Sequence, residues 1–224
     1  MSLRAADRIV YYRGSVIETA PTVEPVTLSE IKAILVVDGT ADDTVLSDMI
    51  VDAREFVEHI SSIALITQSW RLSLDRWPDG GTPWWDGVKQ TAISELHGRN
   101  QSLELPVWPL QTVDTLTVFG DDNVGVTVNI AQIFDVDTYS NPGRLTLRTG
   151  STWPIALRNS NAIQVQYTSG YGATASTVPG PLKRAIKALV GYMYSHRGDG
   201  CDAGDAYQES GAASLVGRYK VVRI

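Results

Sequence analysis

The residue types that carry most enzyme and metal chemistry are sparse in this sequence. It contains three histidines and one cysteine among 224 residues. His59, His97 and His196 lie far from one another, and none of them stands in a metal-ligand spacing with another His or with Cys201. Cys201 has no adjacent base in sequence, and we interpret it as a free surface thiol rather than a nucleophile.

One predicted helical face does gather acidic side chains. Asp48, Asp52 and Glu55 recur at intervals of three and four, and His59 follows one turn later. Such a face can bind a metal, meet the basic side of a neighbouring subunit, or be solvated. Charge patterning favours the solvated face, so the sequence predicts neither a metal site nor a cofactor.

Two loops also carry aspartates. Asp199, Asp202 and Asp205 lack the alternate spacing and the closing glutamate of an EF-hand loop. Asp121 and Asp122 could serve a hydrolase, but no carboxylate pair stands at recognisable strand ends. We therefore predict no catalytic residue and interpret the protein as non-enzymatic.

A tryptophan pair is better suited to binding than to catalysis. Trp84 and Trp85 are adjacent in the Gly- and Pro-rich loop 78–87. Exposed tryptophans concentrate binding energy at interfaces, whereas the alternative is that one or both fold back over a sheet. An alternative function is therefore a carbohydrate- or protein-binding β-module that uses this loop.

The last residues form a second binding candidate, because basic, aromatic and β-branched side chains alternate to the end of the chain. An extended segment of this kind buries its apolar side chains when it is added to another molecule. A final strand on the chain's own sheet is the alternative, but Tyr and Arg are favoured in interface cores. The predicted partner-binding residues are Arg218, Tyr219, Lys220, Val221, Val222, Arg223 and Ile224.

Composition bounds the class of protein. The net charge is -6, with 43% hydrophobic and 20% charged residues. An acidic globular chain is a poor candidate for sequence-independent nucleic-acid binding, although an acidic wall lets DNA slide past. A single cysteine fits a reducing compartment, and no apolar run is long enough to predict a membrane span. We expect the protein to fold in cytoplasm.

Helical periodicity defines the elements that must position these residues. Residues 42–61 carry one broad apolar stripe, with Asp42 or Asp43 as the cap. Residues 26–37 begin with a capping box of Thr27 and Glu30 and end at Asp38-Gly39. A third apolar stripe covers residues 179–196, with Lys183 and Lys187 off it, and a short helix is predicted at about 206–216. The stripe of the long helix consists of Val45, Leu46, Met49, Ile50, Ala53, Phe56, Val57 and Ile60.

Between these helices the apolar period changes from 3.6 to 2, which predicts strands. The first run contains Trp70, Leu72 and Leu74. The others are residues 92–96, 102–105, 113–119, 126–130, 133–137, 144–148 and 162–168. The pattern predicts an α+β protein: a helical bundle, made of an N-terminal helical hairpin and a C-terminal helix, with an inserted antiparallel β-sandwich or small barrel. The expected parts are an arm at 1–25, a bundle at 26–63 and 178–216, a β-rich insertion at 64–177 and a tail at 217–224.

The order of short motifs in this chain resembles that of the head–tail connector (adaptor) proteins of long-tailed bacteriophages and of gene transfer agents. The motifs are PVTLSEIK at 25–32, ALITQSWRLSLDRWP at 64–78, LPVWPL at 105–110, YTSGYG at 167–172, VPGPLKRA at 178–185 and YKVVR at 219–223. The loop around Trp84 and Trp85 looks longer than in that family, and the first twenty residues look additional.

This resemblance implies a structural virion protein. Such proteins assemble as a dodecameric ring beneath the portal protein, continue the DNA channel without specific DNA binding, and bind a downstream neck, stopper or tail protein. Their C-terminal tail reaches into the portal. The expected location is the head–tail neck of the virion, after assembly in the host bacterial cytoplasm.

A ring needs head-to-tail contacts that close. The long helix has an acidic outer face, and the helix at 179–196 has a basic one. We therefore hypothesise that Asp48, Asp52 or Glu55 of one subunit approaches Lys183 or Lys187 of the next.

Overall fold

The computed structural model describes residues 12–77, 102–148, 150–197 and 203–220. These residues form helices and antiparallel strands, which confirms the α+β class. The chain divides into two compact units. The helical unit contains described residues of segments 19–68, 107–109 and 169–224, and the β unit contains those of 1–18, 69–106 and 110–168.

The helical unit opens with the predicted capping box. Thr27 Oγ1 accepts a hydrogen bond from the backbone N–H of Glu30 at 3.3 Å, and the Glu30 carboxylate accepts one from the Thr27 N–H at 2.9 Å. This reciprocal pair satisfies backbone donors that have no partner inside the helix. Its helices are α1 (Leu28–Leu35), α2 (Asp43–Ser61), α4 (Gly180–Ser195), α5 (Ala203–Glu209) and α6 (Ala212–Val216), whereas α3 (Ile130–Ile133) belongs to the β unit.

The apolar stripes of α2 and α4 meet, although they lie more than 120 residues apart in sequence. Leu46, Ile50 and Val57 of α2 are buried in one cluster with Leu182 and Ile186 of α4. Helix α1 contacts both of them, and α6 packs against α4. This shared core fixes the chain on both sides of the β-rich middle. The cluster also includes Val26, Ile31, Ala53, Ile63, Leu65, Ile66, Trp108, Val178, Ala185, Leu189, Val190, Ala206, Tyr207, Ala212 and Val216.

The β unit contains two sheets, of five and three strands. The five-stranded sheet has the order β1-β2-β8-β4-β5, and the three-stranded sheet has the order β3-β7-β6. Trp77, Phe134 and Trp153 form an aromatic cluster with ring centroids 4.9 to 5.7 Å apart. The strands are β1 (Tyr12–Thr19), β2 (Gln68–Leu74), β3 (Ser102–Glu104), β4 (Leu110–Phe119), β5 (Gly125–Thr127), β6 (Phe134–Asp137), β7 (Arg144–Leu147) and β8 (Ile163–Ser169).

The strand predictions are confirmed for β2, β3, β4, β6, β7 and β8 within a few residues at their ends. One is corrected. The predicted strand 126–130 ends at Thr127, because Asn129 starts the short helix α3 (Ile130–Ile133) and its carbonyl accepts the N–H groups of Gln132 and Ile133. In the region expected to be an N-terminal arm, Tyr12–Thr19 form strand β1. The predicted strand 92–96 lies outside the described residues.

Three helix details also differ from the predictions. Helix α1 ends at Val36, which adopts the left-handed conformation at φ 54°, rather than at Asp38-Gly39. The region predicted as one helix at 206–216 is two, because Gly211 at φ 75° turns the chain between α5 and α6. Val45 is 44% exposed, so it lies off the buried stripe of α2.

A close backbone crossing organises the segments that enter and leave the helical unit. Gly170 adopts φ +137°, and a Cβ there would lie 2.6 Å from the carbonyl oxygen of Ile66. The Gly170 N–H donates to the Pro109 carbonyl at 2.9 Å, and the Thr67 N–H donates to the Gly172 carbonyl at 3.0 Å. Buried Ser169 donates to the Val107 carbonyl at 2.9 Å. The motif YTSGYG is therefore a packed crossing rather than a loose linker.

Candidate assembly surfaces

The C-terminal tail starts from a firmly packed base. Val216, the last residue of α6, is fully buried in the helical core. Residues Gly217–Tyr219 continue as a 3-10 helix, and Tyr219 packs against the core, whereas Arg218 and Lys220 are exposed. The Lys220 ammonium lies 5.5 Å from the centre of the Tyr207 ring, a cation–π distance. The base of the tail is thus anchored while its basic groups face outward.

The phenols beneath the tail stay neutral at physiological pH. Burial, together with the neighbouring Tyr219, raises the pKa of Tyr171 to about 12. Burial also raises the pKa of Tyr207. Tyr207 lies in the helical core against which Tyr171 and Tyr219 pack.

The predicted extended conformation of the tail does not hold at its start, because Gly217–Tyr219 is a 3-10 helix. Tyr219, the last residue of this turn, packs against the helical core. Residues Val221, Val222, Arg223 and Ile224 lie outside the described residues. Their partner-binding role stays a prediction.

The acidic face of α2 is only partly as expected. Asp48 and Asp52 are exposed, and neither has a hydrogen-bond or ion-pair partner among the described residues. Glu55 is 65% exposed and lies 3.3 Å from Arg54 Nη2 of its own helix. His59 is exposed as well. Two carboxylates on this face are therefore available to another molecule.

The basic face of α4 is similarly divided. Lys187 donates to Glu30 Oε1 at 3.0 Å, so its ammonium already joins α4 to α1. Lys183 is half-buried and has no polar partner in the described part of the chain. Of the two lysines proposed for a subunit contact, Lys183 is the one left to pair outside its own chain.

Sequence reasoning missed a buried ionic cluster around Arg54. Arg54 lies on α2 among the charged residues, but its side chain is 6% exposed. Its guanidinium bonds Glu24 at 2.9 Å and Glu58 at 2.8 Å, and Glu58 also accepts from the Leu65 N–H and Gln68 Nε2, both at 2.8 Å. The spacing of Arg54 and Glu58 by four residues was the available signal. The cluster ties the end of α2 to the segment that leads into β2.

The residues weighed for catalysis and metal binding do not converge. In the part of the chain that the structure describes, no group of three or more His, Cys, Asp or Glu side chains could hold a metal. Asp205 lies in the first turn of α5, whereas His97, Asp199, Cys201 and Asp202 lie outside the described residues. No helix among the described residues is long and apolar enough to span a bilayer.

The tryptophan pair was predicted to contact a partner. Trp84 and Trp85 lie outside the described residues, so their role as a partner loop stays a prediction. The same holds for the alternative carbohydrate- or protein-binding module that depends on them.

Asp121 and Asp122 lie in the turn after β4, and their settings differ. Asp122 accepts the Val124 N–H at 3.1 Å and so shapes the turn. Asp121 lines an open depression of about 480 Å³ together with Asn123, Arg158, Asn159, Ser160 and Asn161. The two carboxylates do not converge on a common point in a closed cleft, which is unlike a hydrolase site.

Comparison with known proteins gives matches among solved structures alone. No family model matches the chain. A search of curated proteins also gives no match. A chain of the neck of an empty GTA particle, computed with C6 symmetry, is 22% identical with a TM-score of 0.70, over 94% of this chain and 97% of that one.

Two further structures agree with that likeness. A chain in the virion of a native gene transfer agent (GTA) particle is 22% identical with a TM-score of 0.69, over 94% of this chain and 96% of that one. A chain in the neck of a native GTA particle, computed with C12 symmetry, is 22% identical with a TM-score of 0.65, over 93% and 97% of the two chains. The protein therefore has the fold of gene transfer agent neck chains over almost its whole described length.

Proposed function

We propose that the protein is a structural, non-enzymatic component of the head–tail neck of a phage-like particle, and that it acts there as a connector (adaptor). This proposal rests on the structural match to the neck chains. The match covers nearly the whole length of both proteins, so it includes both the helical and the β segments. A match to one unit alone would be expected from a widespread module. A match to both units, in the same chain order, favours the same role.

We further propose that the protein acts as a homo-oligomeric ring of twelve subunits. The similar chains come from necks computed with C6 and C12 symmetry, and both symmetries fit a ring of that number. A closed ring needs two different surfaces that meet between neighbours. Asp48 and Asp52 on α2 and Lys183 on α4 supply opposite charges without partners of their own in the described residues.

The tail is proposed to bind the portal protein. Its base is anchored by Val216 and Tyr219, so the residues beyond Lys220 leave from a fixed point. An anchored start lowers the ordering cost when a short segment adds to a partner. Arg218, Lys220 and Arg223 give the tail a charge of +3, opposite in sign to the net charge of the whole chain.

Other parts of the proposal follow from the ring. The side of the ring that faces away from the portal would bind a downstream neck, stopper or tail protein. DNA would pass through the channel of the ring without specific binding. The net charge of -6 suits a passage that does not retain phosphate. The proposed site of action is the virion neck, after assembly in the cytoplasm of a bacterial host.

Tail truncation tests this function. Removing Val221–Ile224 leaves Tyr219 in place, so we expect an unchanged fold but loss of binding to the portal of the same particle. A deletion of Ser2, Leu3, Arg4 and Ala5 is the matched control at the other terminus, and it should bind normally. Full portal binding by the truncated chain would contradict the proposed role of the tail.

A further inference from the structure

An exposed tyrosine stands on a stiff loop of the β unit. Tyr139 is 97% exposed, the highest value among the exposed large hydrophobic residues of the described chain. The loop between β6 and β7 that carries it is fixed by Asp137, which accepts the Tyr139 N–H at 3.0 Å, the Ser140 N–H at 3.2 Å and Arg144 Nε at 3.0 Å. A rigid loop that presents a bare aromatic ring is suited to insertion into a partner, because little ordering is needed on binding.

The open depression described above offers a place for such a ring. Its floor includes Arg158, whose guanidinium lies over the Phe119 ring at 4.7 Å. The guanidinium edge is held in place, since Nη1 donates to Asn123 Oδ1 at 2.6 Å and Nη2 to the Asn161 carbonyl at 2.8 Å. Phe119 covers one face of the cation, and Arg158 is among the residues that line the depression. A fixed guanidinium face is a preferred stacking surface for an aromatic ring.

The tyrosine loop and the depression lie at opposite ends of strand β4. Gly143, which closes the tyrosine loop, packs against Leu110 at the start of β4. The Arg158 N–H donates to the carbonyl of Phe119, the last residue of β4, at 3.0 Å. Ten residues of strand separate the two ends by about 30 Å. Tyr139 therefore cannot reach the depression of its own chain, but the depression of a second copy is open to it.

We propose that Tyr139 of one subunit stacks on Arg158 of the next copy of this chain, in a head-to-tail contact that repeats around the ring. The inference rests on the proposed ring. Two different surfaces at opposite ends of one rigid strand are what a heterologous contact requires. The phenol hydroxyl would find polar partners at the rim, where Asp121, Asn159 and Ser160 lie.

Cross-linking of mixed chains tests this contact. Thr138→Cys and Asn159→Cys are introduced separately in a Cys201→Ser chain, so that Tyr139 and Arg158 are both kept. The two chains are mixed, assembled on the portal ring, and treated with a short bismaleimide. We expect a covalent dimer from the mixture and none from either chain alone.

Substitutions of the two contact residues give a second test of the contact. Tyr139→Ala exposes no core and should lower the cross-link yield and raise the protein concentration needed for assembly, each roughly tenfold. Arg158→Gln should have the same effect. Val136→Ala removes an exposed apolar side chain from β6 without touching the loop, so it serves as the control and should change neither quantity.

The outcomes separate this contact from the proposed ring. Rings that form normally without the mixed cross-link would overturn the Tyr139–Arg158 contact and leave the ring intact. Cross-links between two Thr138→Cys chains would also overturn it, because they indicate a two-fold contact. Failure of the Cys201→Ser parent to assemble under any condition would count against the proposed function itself, and the contact would fall with it.

Discussion

Lys187 Nζ lies 3.0 Å from Glu30 Oε1, which joins α4 to α1 across 157 positions of sequence. The other oxygen of Glu30 closes the capping box with the Thr27 N–H. One carboxylate therefore fixes both the start of α1 and its place against α4. Because Lys187 is engaged in this way, it is a structural residue of the helical unit, and Lys183 remains the candidate for subunit contact.

The double role of Glu30 predicts a pH dependence of stability. The Thr27 backbone hydrogen bond, followed by Lys187, lowers the pKa of Glu30 below its ordinary 4.5. Stability gained from a lowered carboxyl pKa is fully present above the unfolded value and is lost as pH falls through the folded value. Glu30→Gln should therefore lower the free energy of unfolding at pH 7 by less than about 1 kcal/mol, because the group is partly exposed, and the difference should shrink as the pH falls below 4.5 and through the lowered pKa of the folded state.

Urea unfolding of both proteins between pH 3 and pH 7 measures this difference. Glu209→Gln is the control, since Glu209 is exposed and unpaired among the described residues. A Glu30→Gln deficit that stays constant across the whole pH range would contradict the linkage.

The buried cluster around Arg54 predicts a much larger effect. Arg54→Met keeps the length of the side chain but leaves Glu24 and Glu58 without their cation, and breaking a buried pair costs about 3–5 kcal/mol. Glu55→Gln changes the exposed neighbour and should cost less than about 0.5 kcal/mol. The free energy of unfolding in urea distinguishes them, and equal values would mean that the cluster does not stabilise the fold.

Two glycines give a matched test of the backbone crossing. Gly170→Ala places a methyl group against the Ile66 carbonyl at φ +137°, so we expect a loss of at least about 2 kcal/mol. Gly217→Ala introduces the same atom in open space at φ -53°, a conformation that other residues adopt readily, and should be neutral or stabilise by up to about 1 kcal/mol. Thermal unfolding of the two variants measures the contrast, and similar melting temperatures would argue against a tight crossing.

Charge exchange tests the proposed contact between α2 and α4 of neighbouring subunits. Lys183→Glu should weaken ring assembly at low salt, because it opposes Asp48 and Asp52 with a like charge. Adding Asp48→Lys should restore much of the loss. Glu209→Lys, a charge change on exposed α5, is the control. Light scattering at two salt concentrations measures the extent of assembly. Equal assembly by the single and the double variant would contradict the contact.

Local signals predicted the helices well because their causes are local. The Thr27 and Glu30 capping box and the apolar stripes of α2 and α4 follow from spacing alone, and the structure confirms them. Arg54 could not be placed in the same way, because its partner Glu24 lies 30 positions earlier and only tertiary packing brings them together.

The backbone conformation at the end of α1 was also not predicted correctly from the sequence. Asp38-Gly39 is the stronger stop signal, yet α1 ends at Val36, whose N–H bonds the Lys32 carbonyl. Lys32 also reaches the Gly39 carbonyl and Asp43, so the chain between the two helices is held by a side chain that the turn pattern ignores. For the assembly surfaces, sequence supplied Asp48, Asp52 and Lys183 as candidates. Only the structure could show which of the two lysines, Lys183 or Lys187, is already paired within its own chain.

The most direct test of the connector role is the mass of the purified protein, measured alone and with the portal ring of its particle. We expect twelve copies bound to one portal, and loss of those copies when Val221–Ile224 is removed. A protein that stays unbound at high concentration in the presence of the intact portal, or that binds equally well without its tail, would contradict it.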